Sequence, residues 1–85
     1  MEPSVAVVIL NWNGRNWLEQ FLPSVVQSNY TNLQIIVGDN ASTDESVTFL
    51  KVNYPQVVIL ENDKNYGFAG GYNQILSRVE ADYFI

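Results

Sequence analysis

Three short polar segments carry the residue types from which a binding site could be built. They are Asn11-Trp12-Asn13-Gly14, Asp39-Asn40-Ala41-Ser42 and Asn65-Tyr66-Gly67-Phe68-Ala69-Gly70-Gly71. A carboxylate held beside asparagine amides can read the edge of a nucleobase. Asp39 would accept the ring N–H of uracil, thymine or guanine, while the Asn11 and Asn13 amides both donate and accept against base carbonyls. Cytosine, with no ring N–H at that edge, is disfavoured. Trp12 or Tyr66 could stack on the ring. Taken singly, these residues have plainer readings. Asp39 could simply shape a turn, and Asn11 and Asn13 beside Gly14 are good turn formers. Gly67, Gly70 and Gly71 allow a tight turn and close helix-to-sheet contact. Trp12 and Trp17 suit packing, Asp44 and Glu45 suit a helix N-terminus, and Arg15 and Lys64 suit solvent. The functional reading therefore depends on three segments meeting at one edge.

The elements between them can produce that meeting. Val5 to Leu10 is a continuous apolar, β-branched run, as expected of a strand covered on both faces. Trp17, Leu18, Phe21, Leu22, Val25 and Val26 recur at helical spacing, predicting a helix from about Arg15 to Gln27. Pro23 should bend or interrupt it near Glu19–Leu22. Ser28 to Asn32 reads as a loop, Leu33 to Val37 as a second strand. Ser42-Thr43-Asp44-Glu45 offers a capping box for a helix running to about Asn53, with Val47, Phe49 and Leu50 inward. Val57 to Leu60 is a third strand. Ala69, Tyr72, Ile75, Leu76 and Val79 mark a third helix, and Asp82 to Ile85 reads as the beginning of a fourth strand. Strands alternating with helices predict an α/β fold, an open parallel sheet with right-handed crossovers. Ligands of such sheets bind outside the carboxyl ends of the strands, where all three polar segments would lie.

Composition narrows the chemistry. The 85 residues are 47% hydrophobic and 15% charged, as expected of a globular chain. At this length only about 60–65% of the unfolded surface is buried, so the core is thin. With no cysteine and no histidine, thiol, disulfide and imidazole chemistry are excluded. The net charge of −5 argues against nucleic-acid or anionic-membrane binding through a basic patch. The start Met1-Glu2-Pro3-Ser4 lacks the basic and apolar regions of a signal peptide, so a cytoplasmic location is expected, with any membrane association arising outside this chain. The first strand is followed neither by Gly-x-Gly-x-x-Gly nor by a P-loop.

Together, residues 7–14 (VVILNWNG), 35–44 (IIVGDNASTD) and 65–73 (NYGFAGGYN) resemble the family 2 glycosyltransferases, most closely their rhamnosyltransferase-like branch. The resemblance covers nearly the whole chain. It implies a GT-A, Rossmann-like fold of which residues 1–85 are the N-terminal, nucleotide-sugar-binding part, an incomplete domain truncated at the fourth strand. It implies an enzyme that transfers a sugar from a UDP-, dTDP- or GDP-sugar to a hydroxyl of a glycan or lipid-linked acceptor, with inversion, in cell-surface polysaccharide synthesis. On this resemblance Asn11 and Asn13 line the base and ribose, and Asp39 binds the base ring N–H. Asn65, Gly67 and Asn73 belong to the segment passing close to the nucleotide. Asn40 stands where many members have a second aspartate.

The resemblance also implies that a divalent cation, Mg2+ or Mn2+, holds the donor diphosphate through ligands beyond Ile85. No metal ligand and no catalytic residue is then expected in this chain, which alone should be inactive. The alternative is a non-catalytic α/β nucleotide-binding or receiver-like module. Receiver domains call for an acidic pair after the first strand, where this chain has Asn11 and Asn13. An incomplete sheet leaves an unpaired edge, so self-association is expected.

Overall fold

The computed structural model describes residues 3–27 and 32–85. Of the expected loop at Ser28–Asn32, residues 28–31 lie outside the described residues, as do the first two residues of the chain. The elements run β1 (Val5–Asn11), α1 (Arg15–Val26), β2 (Leu33–Asp39), α2 (Ser46–Asn53), β3 (Val58–Glu61), α3 (Gly67–Leu76) and β4 (Tyr83–Phe84). The four strands form one sheet in the order β3-β2-β1-β4, and each neighbouring pair is parallel.

Strand alternation explains how the apolar runs are used, since successive side chains point to opposite faces. On one face Val37 packs with Leu18 and Leu22 of α1, Leu50 of α2 and Val57, with Ile9, Ile35 and Ile59 alongside. On the other, Ala6, Val8 and Ile36 pack with Ile75 of α3, flanked by Leu10 and Leu60. The sheet is thus covered by α1 and α2 on one side and α3 on the other. The strand order reverses direction after β3, and in such sheets the ligand crevice opens where that reversal occurs. Here that point is the carboxyl end of β1.

Three local expectations change. α1 is continuous through Pro23, so the expected interruption does not occur. Pro23 removes one intrahelical donor, but Leu18 and Leu22, both before it in the helix, are buried and anchor α1 to the core. The carbonyl left free belongs to exposed Glu19, where water can satisfy it. Trp17 and Phe21, counted on the inward face, are half-exposed and lie against each other at 5.0 Å between ring centroids. A helix facing a sheet buries only a stripe, and Leu18 and Leu22 occupy it. Arg15 is not simply solvated, since it pairs with Glu19 at 3.2 Å and lies 5.0 Å from the Phe49 ring centroid.

Candidate nucleotide-binding edge

β1 and β2 end side by side, with Asn11 and Asp39 in register. The chain then turns through Ala41, whose φ of +62° is left-handed. That conformation costs a non-glycine residue about 1–2 kcal/mol. It returns Ser42 onto Asp39, where the Ser42 N–H donates to Oδ2 at 2.8 Å and the Ser42 hydroxyl to Oδ1 at 2.7 Å. Asn11 Nδ2 donates to the same Oδ1 at 2.9 Å. Asp39 is 1% exposed. A carboxylate offers about four acceptor positions, and these three donors leave one, on Oδ2.

The expected capping box is absent: α2 starts at Ser46 without a side-chain cap from Glu45. Ser42 is held instead by Asp39, and its oxygen also accepts from the Asn13 N–H at 2.9 Å. Asn13 has φ +52°, so the turn-forming reading holds for it. Its side chain does more, because Oδ1 accepts from the N–H groups of Thr43 at 2.7 Å and Asp44 at 3.1 Å. Asn11 uses its amide hydrogens on Asp39 and, at 3.3 Å, on Ser42, leaving its oxygen rather than its NH2 for a ligand.

Asp44 serves both helices that begin at this edge. Oδ2 accepts from the N–H of Arg15, the first residue of α1, at 3.2 Å, and Oδ1 from the N–H and hydroxyl of Ser46, the first residue of α2. Partial desolvation pushes the Asp44 carboxyl up, but the hydrogen bonds from Ser46 and Arg15 together outweigh it and hold its pKa below the ordinary 3.8. A lowered carboxyl pKa contributes stability above the unfolded value and loses it as pH falls through the folded one. The first turns of α1 and α2 should therefore loosen together as pH drops below about 3.8. Amide exchange at Arg15 and Ser46 against pH would show it, and Asp44→Asn should flatten both profiles. Profiles that keep their pH response in the variant would rule Asp44 out as the cause.

Asn40 joins the second segment to the third. It is buried, and its amide has a partner in each direction. Nδ2 donates to Asn65 Oδ1 at 2.9 Å and to the Gly67 carbonyl at 3.0 Å. Oδ1 accepts from Asn62 Nδ2 at 3.0 Å and from the Tyr66 N–H at 3.2 Å. Gly71 permits this approach, because a Cβ there would lie 2.8 Å from Asn40 Nδ2. An aspartate at position 40 would keep the two accepting bonds but set bare oxygens against Asn65 Oδ1 and the Gly67 carbonyl. Asn40→Asp should therefore destabilise by about 1–3 kcal/mol, read as a shift of the urea midpoint. An unchanged midpoint would contradict the donor role of this amide.

Between β1 and the start of α3 lies a groove of about 270 Å³ lined by Leu10, Trp12, Asn40, Asn65, Gly67 and Phe68. Trp12 is 56% and Phe68 76% exposed. Gly67 opens α3 at φ +77°, in the left-handed region that favours glycine. Tyr66 does not line the groove: its hydroxyl donates to Asp63, and the Lys64 ammonium lies 5.1 Å from its ring centroid. Phe68 holds the position against the groove that Tyr66 was expected to supply.

The structure thus unites Asn11 with Asp39 directly, Asn13 with them through Ser42, and Asn65 and Gly67 through Asn40. Asn73 is not brought in. It is exposed, six residues into α3 from Gly67 and so about 9 Å farther along the helix axis. Ser42 was read as a helix cap, Asn40 as a residue standing where many members have a second aspartate, and Phe68 only as part of the glycine-rich segment; their places at this edge come from the structure. Among the described residues no group of three or more Asp, Glu, His or Cys side chains is placed to hold a metal ion.

Residues 6–85 match the family model described as glycosyl transferase family 2. The chain belongs to that family. A glycosyltransferase of uncharacterised role from Haemophilus influenzae is 28% identical over 85 residues, covering 96% of this chain and 26% of its own length. A putative colanic acid biosynthesis glycosyl transferase from Escherichia coli is 27% identical, covering 95% of the chain and 30% of its own length. The dTDP-rhamnosyl transferase of Shigella flexneri is 29% identical over 63 residues, covering 69% of the chain and 22% of its own length. This family 2 chain thus spans about 26–31% of the length of the first several curated relatives it matches.

Solved structures agree on the fold. A mannosyltransferase from Pyrobaculum calidifontis in complex with GDP-Man and Mn2+ superposes with a TM-score of 0.83 at 22% identity, over 96% of this chain and 26% of that one. S. aureus TarS in complex with UDP-GlcNAc gives 0.81 at 19% identity, over the same shares. The GT-A architecture expected from the sequence is the one observed.

Proposed function

We propose that this family 2 chain is the donor-nucleotide side of a glycosyltransferase domain that extends beyond it, whose whole protein moves a sugar from a nucleotide-diphosphate sugar to an acceptor hydroxyl. The observation that carries this is the buried Asp39 carboxylate at the carboxyl edge of β2, held by Asn11 and Ser42 with one acceptor position uncommitted. Such a group is preorganised for the ring N–H of uracil, thymine or guanine, because the cost of orienting it is met in folding rather than in binding. The adjoining groove, with exposed Trp12 and Phe68 as apolar surfaces, gives the flat base and ribose somewhere to lie.

The relatives support the class of ligand and of product. Neighbours are solved with GDP-Man or UDP-GlcNAc, and curated relatives are named for colanic acid biosynthesis or for dTDP-rhamnosyl transfer. On this reading Asn11, Asn13, Asp39, Asn65 and Gly67 form the nucleotide contact, with Asn73 at its margin, and the acceptor is a glycan or lipid-linked hydroxyl. A divalent cation is supplied from outside these residues; the mannosyltransferase neighbour is solved with Mn2+. Titrating UDP, dTDP and GDP into the whole protein with Mn2+ tests the reading. Binding of one of them in preference to CDP is expected, and binding of none would overturn it.

Self-association belongs to the same proposal. Tyr83 and Phe84 of β4, and Ile85 after it, are exposed, and β4 pairs with β1. Sedimentation of the 85-residue chain should reveal dimers or larger species, and a clean monomer at high concentration would contradict it.

A further inference from the structure

The hydrogen bonds at Asn40 continue outward to a residue far along the chain. Arg78 lies just past α3, and its Nη2 donates to Asn62 Oδ1 at 2.9 Å. Asn62 is buried and gives its Nδ2 to Asn40 Oδ1 at 3.0 Å. Asn40 in turn gives Nδ2 to Asn65 Oδ1 at 2.9 Å, and that same oxygen accepts the Gly67 N–H at 2.8 Å. The series Arg78, Asn62, Asn40, Asn65 runs from just past the end of α3 to the wall of the groove.

Such a series has a direction. A guanidinium only donates, so the Asn62 oxygen must face it and the Asn62 NH2 must face Asn40. Asn40 is fixed the same way round by backbone groups that cannot reverse, the Tyr66 N–H and the Gly67 carbonyl. Both constraints turn the Asn65 oxygen inward. Its NH2, which has no partner among the described residues, is then the face offered to a ligand.

We propose that Arg78 and Asn62 are positioning residues for the groove: acting through Asn40, they hold the Asn65–Gly67 turn in one hydrogen-bond polarity that presents the Asn65 NH2 as a donor to an oxygen of the bound nucleotide. This rests on the donor-nucleotide reading above. Neither residue touches the ligand. Arg78 is exposed and Asn62 lies behind Asn40, so their influence on binding is carried wholly by the orientation of the amides between them.

The test uses the whole protein and the variants Arg78→Ala, Arg78→Lys and Asn62→Asp. Two quantities are read in each: affinity for UDP, dTDP and GDP by calorimetry, and hydrogen exchange of the Tyr66 and Gly67 amides, with thermal unfolding to establish that the variant is folded. Arg78→Ala should bind nucleotide roughly threefold to tenfold more weakly, as expected for the loss of one hydrogen bond, and should exchange faster at Tyr66 and Gly67. Arg78→Lys, which can still donate to the Asn62 oxygen, should restore most of both. Asn62→Asp separates positioning from stability. Its carboxylate gains an ion pair with Arg78 but places an acceptor against Asn40 Oδ1. The proposal therefore expects weaker binding and faster exchange in Asn62→Asp even if its melting temperature is unchanged or raised.

Wild-type affinity and exchange in Arg78→Ala or in Asn62→Asp would overturn the proposal. A wild-type protein that binds none of the three nucleotides while exchange at Tyr66 and Gly67 still responds would overturn the donor reading and the ligand half of this proposal, and would support the hydrogen-bond series alone. The two failures are thus distinguishable.

Discussion

Asp39→Ala should weaken nucleotide binding by about 1–3 kcal/mol, the range for losing a hydrogen bond to a charged group together with the desolvation it leaves behind. It should also lower stability by a comparable amount, because Asn11 Nδ2 and the Ser42 N–H and hydroxyl all donate to this carboxylate. A loss of stability would follow even if Asp39 were purely structural, so the informative quantity is affinity measured where the variant remains folded. Asp39→Asn sharpens the comparison. With its amide oxygen in the Oδ2 position it still accepts from the Ser42 N–H and from a ring N–H, while the Asn11 amide and the Ser42 hydroxyl can turn to accept from its NH2. Asp39→Asn should therefore lose less affinity than Asp39→Ala. Calorimetric titration of both variants checks the order, and an alanine variant with wild-type affinity would remove Asp39 from the site.

Gly38→Ala should be severely destabilising for a different reason. A Cβ at this strand position would lie 2.3 Å from Ile75 Cγ1 and 2.8 Å from Cδ1. Ile75 of α3 is fully buried against the sheet, so it has little room to retreat. Overpacking of this kind costs about 1–3 kcal/mol and sometimes more. Ile75→Ala alone should cost about 2–5 kcal/mol by leaving a cavity. In the double variant the new methyl enters that cavity, so the combined loss should fall short of the sum by more than about 0.5 kcal/mol, the usual scatter for independent sites. Urea unfolding of the three variants measures this directly. Additive losses would mean that α3 does not sit against Gly38. Because α3 carries Gly67 and Phe68 at the groove, Gly38→Ala should also weaken nucleotide binding.

The path from residues to architecture was short where local rules dominate. The β-branched apolar run Val5 to Leu10 suits a strand covered on both faces, and the packing of Ile9 with α1 and α2, and of Val8 and Leu10 with α3, is the result. The apolar spacing of the third helix was equally plain, although α3 opens at Gly67, within what read as a polar loop, and ends at Leu76, before Val79. What local rules misjudged were groups with two uses. Ser42 has the right spacing for a capping box, yet a buried carboxylate three residues earlier is the stronger partner for its hydroxyl. Tyr66 has the ring for stacking, but its hydroxyl finds Asp63, and Phe68, two residues on, lines the groove instead. Trp17 and Phe21 fit an inward stripe by period alone, but the stripe is narrower than the periodicity, and Leu18 and Leu22 fill it.

The order of elements, the polar character of all three strand ends and the family were settled by the sequence itself, because hydrophobic period and motif spacing are properties of nearby residues. The pairing of Asn11 with Asp39, the central place of Asn40 and the link from Arg78 through Asn62 were decided only in three dimensions. Each joins residues between 16 and 28 positions apart. Which amide faces which depends on the register of parallel strands and on backbone groups whose donor or acceptor character cannot change, and neither is encoded within any short stretch of chain.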